Sequence, residues 1–347
     1  MQNDCTISEP ARLEDIGPDA WNALAAACPD ATCFQAYEWI AAWWRVFGAG
    51  RELRLYAVRR GDVLCGLAPM YLESGMLRFV GEGHSDYNVF LWHAQEPAVV
   101  ELLLDMLLQH RRSKVIEFAE VPETSALAQV LHQRSDPRLR RHESTPCPRL
   151  TRTEASINNA LGKKSIKRNR NKLARQGTLA VEHLDNAKDI LPCLDTFYRY
   201  HIDRWSNTEY PSLFLNPDNR SFYEALVHSA LPIVFTVIRV DGQLVAAHFG
   251  MRSAGWLIWY KPAFDTGLAN CSPGEVLLAS LIEYVSDNAL DGLDFTRGEE
   301  AFKLRYCTEI RYNLNYAHHR HPPYLQDGKR ALKLGVKRLL RLARLRP

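Results

Sequence analysis

Residues 56–70 read YAVRRGDVLCGLAPM, and residues 236–251 read TVIRVDGQLVAAHFGM. Each is a strand-forming run, a two-residue turn and a second strand-forming run. Gly61-Asp62 and Asp241-Gly242 supply the turns, because glycine accepts the positive φ that a tight hairpin requires. The two hairpins lie about 180 residues apart, an offset that invites a search for further repeats.

The flanking segments repeat in the same order. Leu102–Phe118 (LLLDMLLQHRRSKVIEF) has the apolar period of a helix and runs into a short strand; Leu278–Phe295 (LASLIEYVSDNALDGLDF) does the same through Asp291-Gly292. Aromatic helices precede the hairpins, Tyr37–Trp44 in one half and Phe197–Trp205 in the other. An ordered set of matches predicts a duplicated α/β lobe. Pro146–Pro148 is the expected junction, since proline resists continuing helix or sheet. The division expected is a first lobe over 1–150, a second over 151–320 and a tail over 321–347.

Composition sets outer limits. The chain of 347 residues is 46% apolar and 24% charged, which excludes global disorder. Its net charge of +3 carries no information as a total. The eight cysteines are scattered without a Cys-x-x-Cys pair, so free thiols in a reducing cytoplasm are expected. The N-terminus lacks the basic and apolar regions of a secretory signal, and the longest apolar runs, such as Leu231–Ile238, are strand-sized. A cytoplasmic location follows, peripheral on the inner membrane if the tail docks there.

Charge is concentrated in two places. Residues 155–181 contain no Asp or Glu but carry Lys163, Lys164, Lys167, Arg168, Arg170, Lys172 and Arg175. The helix expected over 163–177, closed by Gly177, has no interleaved aromatics, so nucleic acid is not its expected partner; an anionic acceptor is. Residues 329–347 hold eight Lys and Arg around an apolar stripe of Leu332, Val336, Leu339, Leu340 and Ala343. Such a helix suits shallow docking on an anionic membrane surface.

The segment Trp256–Thr308 carries the chemistry. Ser272-Pro273-Gly274-Glu275 reads as a helix start with a Ser-x-x-Glu capping box, and a helix N-terminus presents amides suited to phosphate. In the strand Gly292–Thr296, Leu293 and Phe295 face one way, Asp294 and Thr296 the other. A helix follows with Glu299 and Lys303 at i, i+4, spacing for an exposed ion pair. Glu117 stands where the first half matches Asp294, but that half has no counterpart of Arg297-Gly298-Glu299-Glu300. Cys271 and Cys307 lack a recognisable neighbouring base. His318, His319 and His321 are expected to be a solvated basic segment rather than a metal site.

These residues resemble a known family. Val245–Phe249 (VAAHF), Trp259-Tyr260, Phe264-Asp265, Ser272-Pro273-Gly274-x-x-Leu277-Leu278 and Leu293-Asp294-Phe295-x-Arg297-Gly298-x-Glu300-x-x-Lys303 look like the CelD/BioF-like acyltransferases, a branch of the GCN5-related N-acetyltransferase (GNAT) superfamily. Phe34, Trp39, Trp43, Phe79-Val80-Gly81 and Ser85-Asp86-Tyr87 extend the likeness into the first half. The resemblance implies two tandem GNAT-like lobes similar to the Fem aminoacyltransferases. Each would be a mixed, mainly antiparallel sheet flanked by helices, in the α/β (α+β) class, with a cleft near the contact of the lobes.

The activity implied is acyl transfer from a thioester, acyl-CoA or an acyl carrier protein, to an amine or hydroxyl. The acceptor would be a small molecule or glycolipid of polysaccharide, lipid or cell-envelope synthesis. One departure stands out: the superfamily's Arg/Gln-x-x-Gly-x-Gly/Ala pyrophosphate loop is replaced by Leu268–Gly274 (LANCSPG). Two other readings stay open, a Fem-like transferase using aminoacyl-tRNA and a non-catalytic accessory protein of an envelope synthase. His248 is the expected base because its free pKa lies near neutrality, with Asp265 as the alternative and Tyr260 orienting or protonating the leaving thiolate. Substrate contacts are expected from Asp86, Tyr87, Lys164, Arg168, Trp205, Asp294, Arg297 and Lys303. Ser272, Gly274 and Glu275 would form the donor turn, and no metal is expected.

Overall fold

The computed structural model describes residues 5–206, 208 and 211–320. The tail 321–347, with its basic stripe over 329–347 and His321, lies outside the described residues. The first half supplies β1 (Cys5–Ser8), β2 (Glu52–Arg60), β3 (Val63–Glu73), β4 (Met76–Phe79), β5 (Leu91–Trp92), β6 (Val115–Pro122) and β7 (Leu139–Thr151). The second supplies β8 (Leu179–Leu184), β9 (Ile233–Val240), β10 (Gln243–Ser253), β11 (Trp256–Phe264), β12 (Gly292–Asp294) and β13 (Glu309–His319). The helices are α1 (Pro18–Ala27), α2 (Tyr37–Phe47), α3 (Ala98–Gln109), α4 (Ala126–Gln133), α5 (Glu154–Leu161), α6 (Lys164–Ala174), α7 (Ala187–Trp205), α8 (Pro217–Val227), α9 (Pro273–Asp287) and α10 (Ala301–Tyr306).

All thirteen strands join one mixed sheet in the order β1-β2-β3-β4-β6-β13-β7-β12-β11-β10-β9-β8, with β5 beside β3. Outward from the central β13–β7 pair the two arms have the same grammar. β13 is antiparallel to β6, β6 parallel to β4, and β4, β3, β2 and β1 follow antiparallel. β7 is antiparallel to β12, β12 parallel to β11, and β11, β10, β9 and β8 follow antiparallel. The halves are therefore two copies of one α/β unit that exchange their last strands: β7 closes the second copy's arm and β13 the first's. The hairpins β2–β3 and β9–β10 are the repeated sequences.

Two expectations are corrected. Pro146 and Pro148 do not interrupt the sheet; they lie inside β7. Their carbonyls accept from Gly298 N–H (2.8 Å) and Phe295 N–H (3.0 Å), on the side away from β13. Because N–H and C=O of one strand residue point the same way, the missing proline donors are on that side too, and the β13 ladder loses nothing. The counterpart of α2 in element order is α8, not the 197–205 segment, which belongs to α7. α2 and α8 pack together through Trp39 and Phe222, ring centroids 5.1 Å apart.

The core runs through both halves. α3 buries Val99, Val100, Leu103, Leu104 and Leu107 on the first half of the sheet; α9 buries Leu278, Ala279, Leu281, Ile282 and Val285 on the second. On the opposite side α1, α2, α7 and α8 share one aromatic cluster with Trp21, Phe34, Trp39, Phe197, Phe222 and Tyr223. α5 and α6 have no counterpart in the first half; α6 lies along α9, tied by Arg170 to Glu283 at 2.7 Å.

Candidate active site

β11 and β12 pair only over Trp256–Ile258 and Gly292–Asp294, after which β12 ends and β11 continues to Phe264. The gap that opens is the site. One end is a groove of about 380 Å³ at the N-terminus of α9, lined by Phe264, Ser272, Gly274, Glu275, Leu278 and Tyr306 among others. It continues past Arg204, Trp259, Pro262 and Phe302, which line both spaces, into a chamber of about 910 Å³. The chamber is walled by Asp86, Trp205, Tyr260, Lys261, Arg297 and Lys303.

The floor is a charge network between the halves. Arg297, just past β12, places Nε 2.7 Å from Asp86 Oδ1 and Nη1 3.5 Å from Glu120 Oε1. Beneath it Asp294 is 1% exposed. It accepts from Tyr87 Oη (2.7 Å), the Thr296 amide (2.8 Å) and Arg149 Nε (2.8 Å). Tyr87 and Asp294 thus saturate one another below the chamber and hold its floor. Burial pushes the Tyr87 phenol well up, and the Asp294 carboxylate adds to the shift.

Lys303 is buried rather than exposed, and its partner is Glu300 at 2.9 Å, not Glu299. α10 begins only at Ala301, so the expected i, i+4 spacing never becomes a helical pair. The Lys303 ammonium also donates to the Arg297 carbonyl at 2.7 Å, tying α10 to the floor.

Two cations have no such partner: among the described residues no carboxylate lies within ion-pair distance of Lys261 or Arg204. Lys261 Nζ sits 3.9 Å from the centroid of the Tyr260 ring. Burial pulls its amine down to about 8; Asp86 opposes the shift, and Arg297 and Lys303 add to it. Arg204 bridges groove and chamber, its guanidinium over the Trp205 and Phe264 rings and its Nη1 donating to the Pro262 carbonyl at 3.3 Å. Desolvated cations without counter-ions suit an anionic ligand.

The other sequence candidates divide. Tyr260 lines the chamber, but its hydroxyl donates to the His84 carbonyl at 2.7 Å and burial raises its pKa far above the usual phenol range. Trp205 lines the chamber, stacked on His201 at 6.0 Å. His248 lies fully buried behind β11, not at the cleft. Its Nε2 accepts the Tyr260 amide at 3.0 Å, its ring stacks on Trp259 at 4.8 Å, and burial holds its pKa at about 3. A Cβ on Gly250 would come within 2.3 Å of that ring, which explains the glycine beside it. Asp265 caps the turn after β11 through the Gly267 amide at 2.8 Å, outside the lining.

The donor turn departs from the capping box. Ser272 adopts φ 50°, ψ 57° with no side-chain cap, while Pro273 does occupy the first helical position. Glu275 turns away from the backbone to accept from Ser165 Oγ (2.7 Å), Tyr306 Oη (2.7 Å) and Asn169, with Arg305 3.2 Å away. Lys164 and Arg168 lie on the outer face of α6, in a shallow groove with Lys167, Lys172 and Arg175. His318 is buried, not solvated. All eight cysteines are free, and among the described residues no group of three or more His, Cys, Asp or Glu could hold a metal. No helix among them is long and apolar enough to cross a membrane.

Residue-by-residue reading missed Lys261 and Arg204. The signal for Lys261 was present: one charge in the middle of the apolar strand WLIWYKPAF. Glu120 gave none, since its role depends on which strand neighbours β6.

Residues 162–304 match the model of a family described as an acetyltransferase (GNAT) domain. No curated protein matches the chain. Among solved structures, FemX superposes with a TM-score of 0.63 at 12% identity, covering 89% of this chain and 97% of that chain. L-PGS from Bacillus licheniformis gives 0.59 at 13%, covering 88% and 92%. A tandem GNAT protein from the clavulanic acid biosynthesis pathway gives 0.50 at 12%, covering 92% and 99%. At such identities the likeness shows the fold: tandem GNAT-like units, the second holding the matched domain.

Proposed function

We propose that the protein is an acyltransferase of the CelD/BioF-like kind, moving an acyl group from a thioester to an amine or hydroxyl of an anionic acceptor. One observation carries the reading: the groove at the start of α9 opens directly on the chamber holding Lys261, whose amine is drawn toward neutrality. The thioester's pantetheine arm lies in the groove against the Gly274 N–H, since Pro273 has none and the Ser272 carbonyl already takes those of Glu275 and Val276. Groove residues Ser272, Gly274 and Phe264 fit such an arm. The acceptor occupies the chamber, its phosphate or carboxylate on Arg204.

In the transfer, neutral Lys261 takes a proton from the acceptor as its N or O bonds to the acyl carbon. The tetrahedral intermediate then collapses, the C–S bond breaks, and the Lys261 ammonium returns the proton to the thiolate. A base with a pKa near the working pH serves both half-steps. Arg297 and Asp86 set the wall against which the acceptor is held. The acceptor class proposed is a phosphorylated or carboxylated sugar or lipid of envelope synthesis.

The test is thiol release from acetyl-CoA and longer acyl-CoAs in the presence of an acceptor panel of amines and hydroxyls with and without phosphate. Turnover confined to anionic acceptors and abolished in Lys261→Met supports the reading; turnover unaffected by Lys261→Met ends it.

A second reading changes only the donor. The cations on the outer face of α6, which have no carboxylate within ion-pair distance among the described residues, start beside Ser165, the partner of the groove residue Glu275, and they favour a polyanionic donor, either an acyl carrier protein or an aminoacyl-tRNA. Ribonuclease-sensitive transfer selects the RNA; activity with acyl carrier protein and none with acyl-CoA selects the protein.

A further inference from the structure

We infer that the far end of the first unit carries a separate binding pocket for a phosphate group, unconnected with the transfer site. The loop between α3 and β6, the approach to β7 and the end of β13 meet around a cavity of about 290 Å³. Arg111, Lys114, Arg138, Arg320, His110 and His318 line it, and among the described residues no Asp or Glu does. For a chain of net charge +3, four strong cations about one concavity is a marked local excess. From Val115 to Glu120, along β6, is about 17 Å at ~3.3 Å per residue, so the pocket and the chamber occupy opposite ends of the central strands.

The cations are of two kinds. Arg138 is pre-set: Asp136 Oδ1 accepts its Nε at 3.0 Å and Oδ2 its Nη2 at 2.9 Å, with His318 Nε2 3.3 Å from the same carboxylate. That pairing leaves its remaining N–H groups for a ligand. Arg111, Lys114 and Arg320 are exposed, and among the described residues none has a carboxylate within ion-pair distance. His110 adds a buried Nδ1 with no hydrogen-bond partner among the described residues. The cavity is several times the ~30 Å³ a water occupies in the liquid, room for a phosphate and part of the group bearing it. Arginine forks and a lysine point charge recognise a phosphate oxyanion. The basic stretch 329–347 follows Arg320 in sequence after 321–328, so a membrane phospholipid headgroup and a soluble phosphate compound are the two sources of this chemistry.

Equilibrium dialysis of the full chain against labelled inorganic phosphate, at fixed ionic strength, tests the pocket. In a chain carrying Arg204→Ala, which removes the chamber's anion contact, one phosphate per chain is expected, with affinity falling at least about tenfold when Lys114→Glu/Arg320→Glu is added. Lys167→Glu/Arg175→Glu, an equal charge change on α6, leaves it unaltered. Unchanged binding in the first variant, or equal loss in both, overturns the inference. The same proteins are then sedimented with phosphatidylcholine vesicles with and without about one-fifth phosphatidic acid, the tail being present throughout. Loss of vesicle binding in Lys114→Glu/Arg320→Glu alone makes the source a lipid headgroup; retained vesicle binding with lost phosphate binding makes it a soluble phosphate.

Discussion

Arg297 Nε lies 2.7 Å from Asp86 Oδ1, and the two residues come from loops in opposite halves of the chain. Each loop follows the last paired residues of a parallel strand junction, β4–β6 for Asp86 and β11–β12 for Arg297. The ion pair therefore ties the two halves of the duplicated fold together beside the central β13–β7 pair. Arg297 lines both the chamber and the smaller first-half cavity around Trp43, Tyr71 and His84, while Asp86 faces the chamber alone.

Removing one partner strands the other. Asp86 is almost fully buried, and its loss leaves Arg297 with Glu120 alone. Breaking a buried pair costs about 3–5 kcal/mol. Since 34% of the Arg297 side chain stays exposed, the expected destabilisation for Asp86→Ala is about 2–3 kcal/mol, read from urea unfolding. A change within about 0.5 kcal/mol would place the pair among ordinary surface bridges.

Local rules made the repeated units legible. The hairpin turns, the helix-to-strand runs and the stripe of α9 declare themselves within a dozen residues each. The strand exchange does not, because nothing in the composition of β7 or β13 says which arm it will join; that is decided by long-range pairing. The same reason hid Glu120 and the closed Asp294–Tyr87–Arg149 network. Ser272 and Glu275 show a local signal overridden by tertiary demand: Glu275 faces Ser165, Asn169, Tyr306 and Arg305 and gains more there than from a cap. His248 looked reactive because its residue type is, yet its burial decides against protonation.

Two histidines tie stability to acid. Burial holds both His248 and His201 at about 3, against 6.5 when free. Below pH 6.5 the unfolded chain binds protons that the folded chain refuses, so stability falls as pH falls from 6.5 toward 3. At about 1.4 kcal/mol per pH unit and site, each withdraws ~2 kcal/mol between pH 6.5 and 5. The slope of unfolding free energy over that window should flatten by about one proton in each of His248→Gln and His201→Gln. Unaltered slopes would mean that these rings do protonate in the folded state.

Arg204 is expected to act on binding rather than chemistry. It lines both spaces and has no counter-ion among the described residues, so Arg204→Ala removes a contact made equally to ground state and transition state. KM for an anionic acceptor should rise about 10–100-fold with kcat within about threefold. Arg204→Lys should recover only part of the loss, since a point charge cannot replace the fork. A fall in kcat at unchanged KM would transfer Arg204 from holding the acceptor to stabilising charge in the reaction.

Lys261 gives the sharpest test because its titration predicts opposite kinds of data from one cause. Folding draws its amine from 10.5 to about 8, so the folded chain sheds this proton before the unfolded chain does. Between those values the unfolded state binds more protons, and this site's contribution to stability rises with pH from about 8 to 10.5. Activity should rise over the lower part of the same range, with a midpoint near 8, as the neutral amine becomes available to take the acceptor's proton. Lys261→Met should abolish both the rate and its pH limb, losing about 10²–10⁴-fold in kcat, while remaining folded and no less stable at pH 7, because a half-buried charge with no carboxylate partner among the described residues has been replaced by an apolar chain. Lys261→Arg keeps the charge but cannot release its proton, and should stay inactive at every pH. An active Lys261→Arg would show that the position needs a cation and not a base.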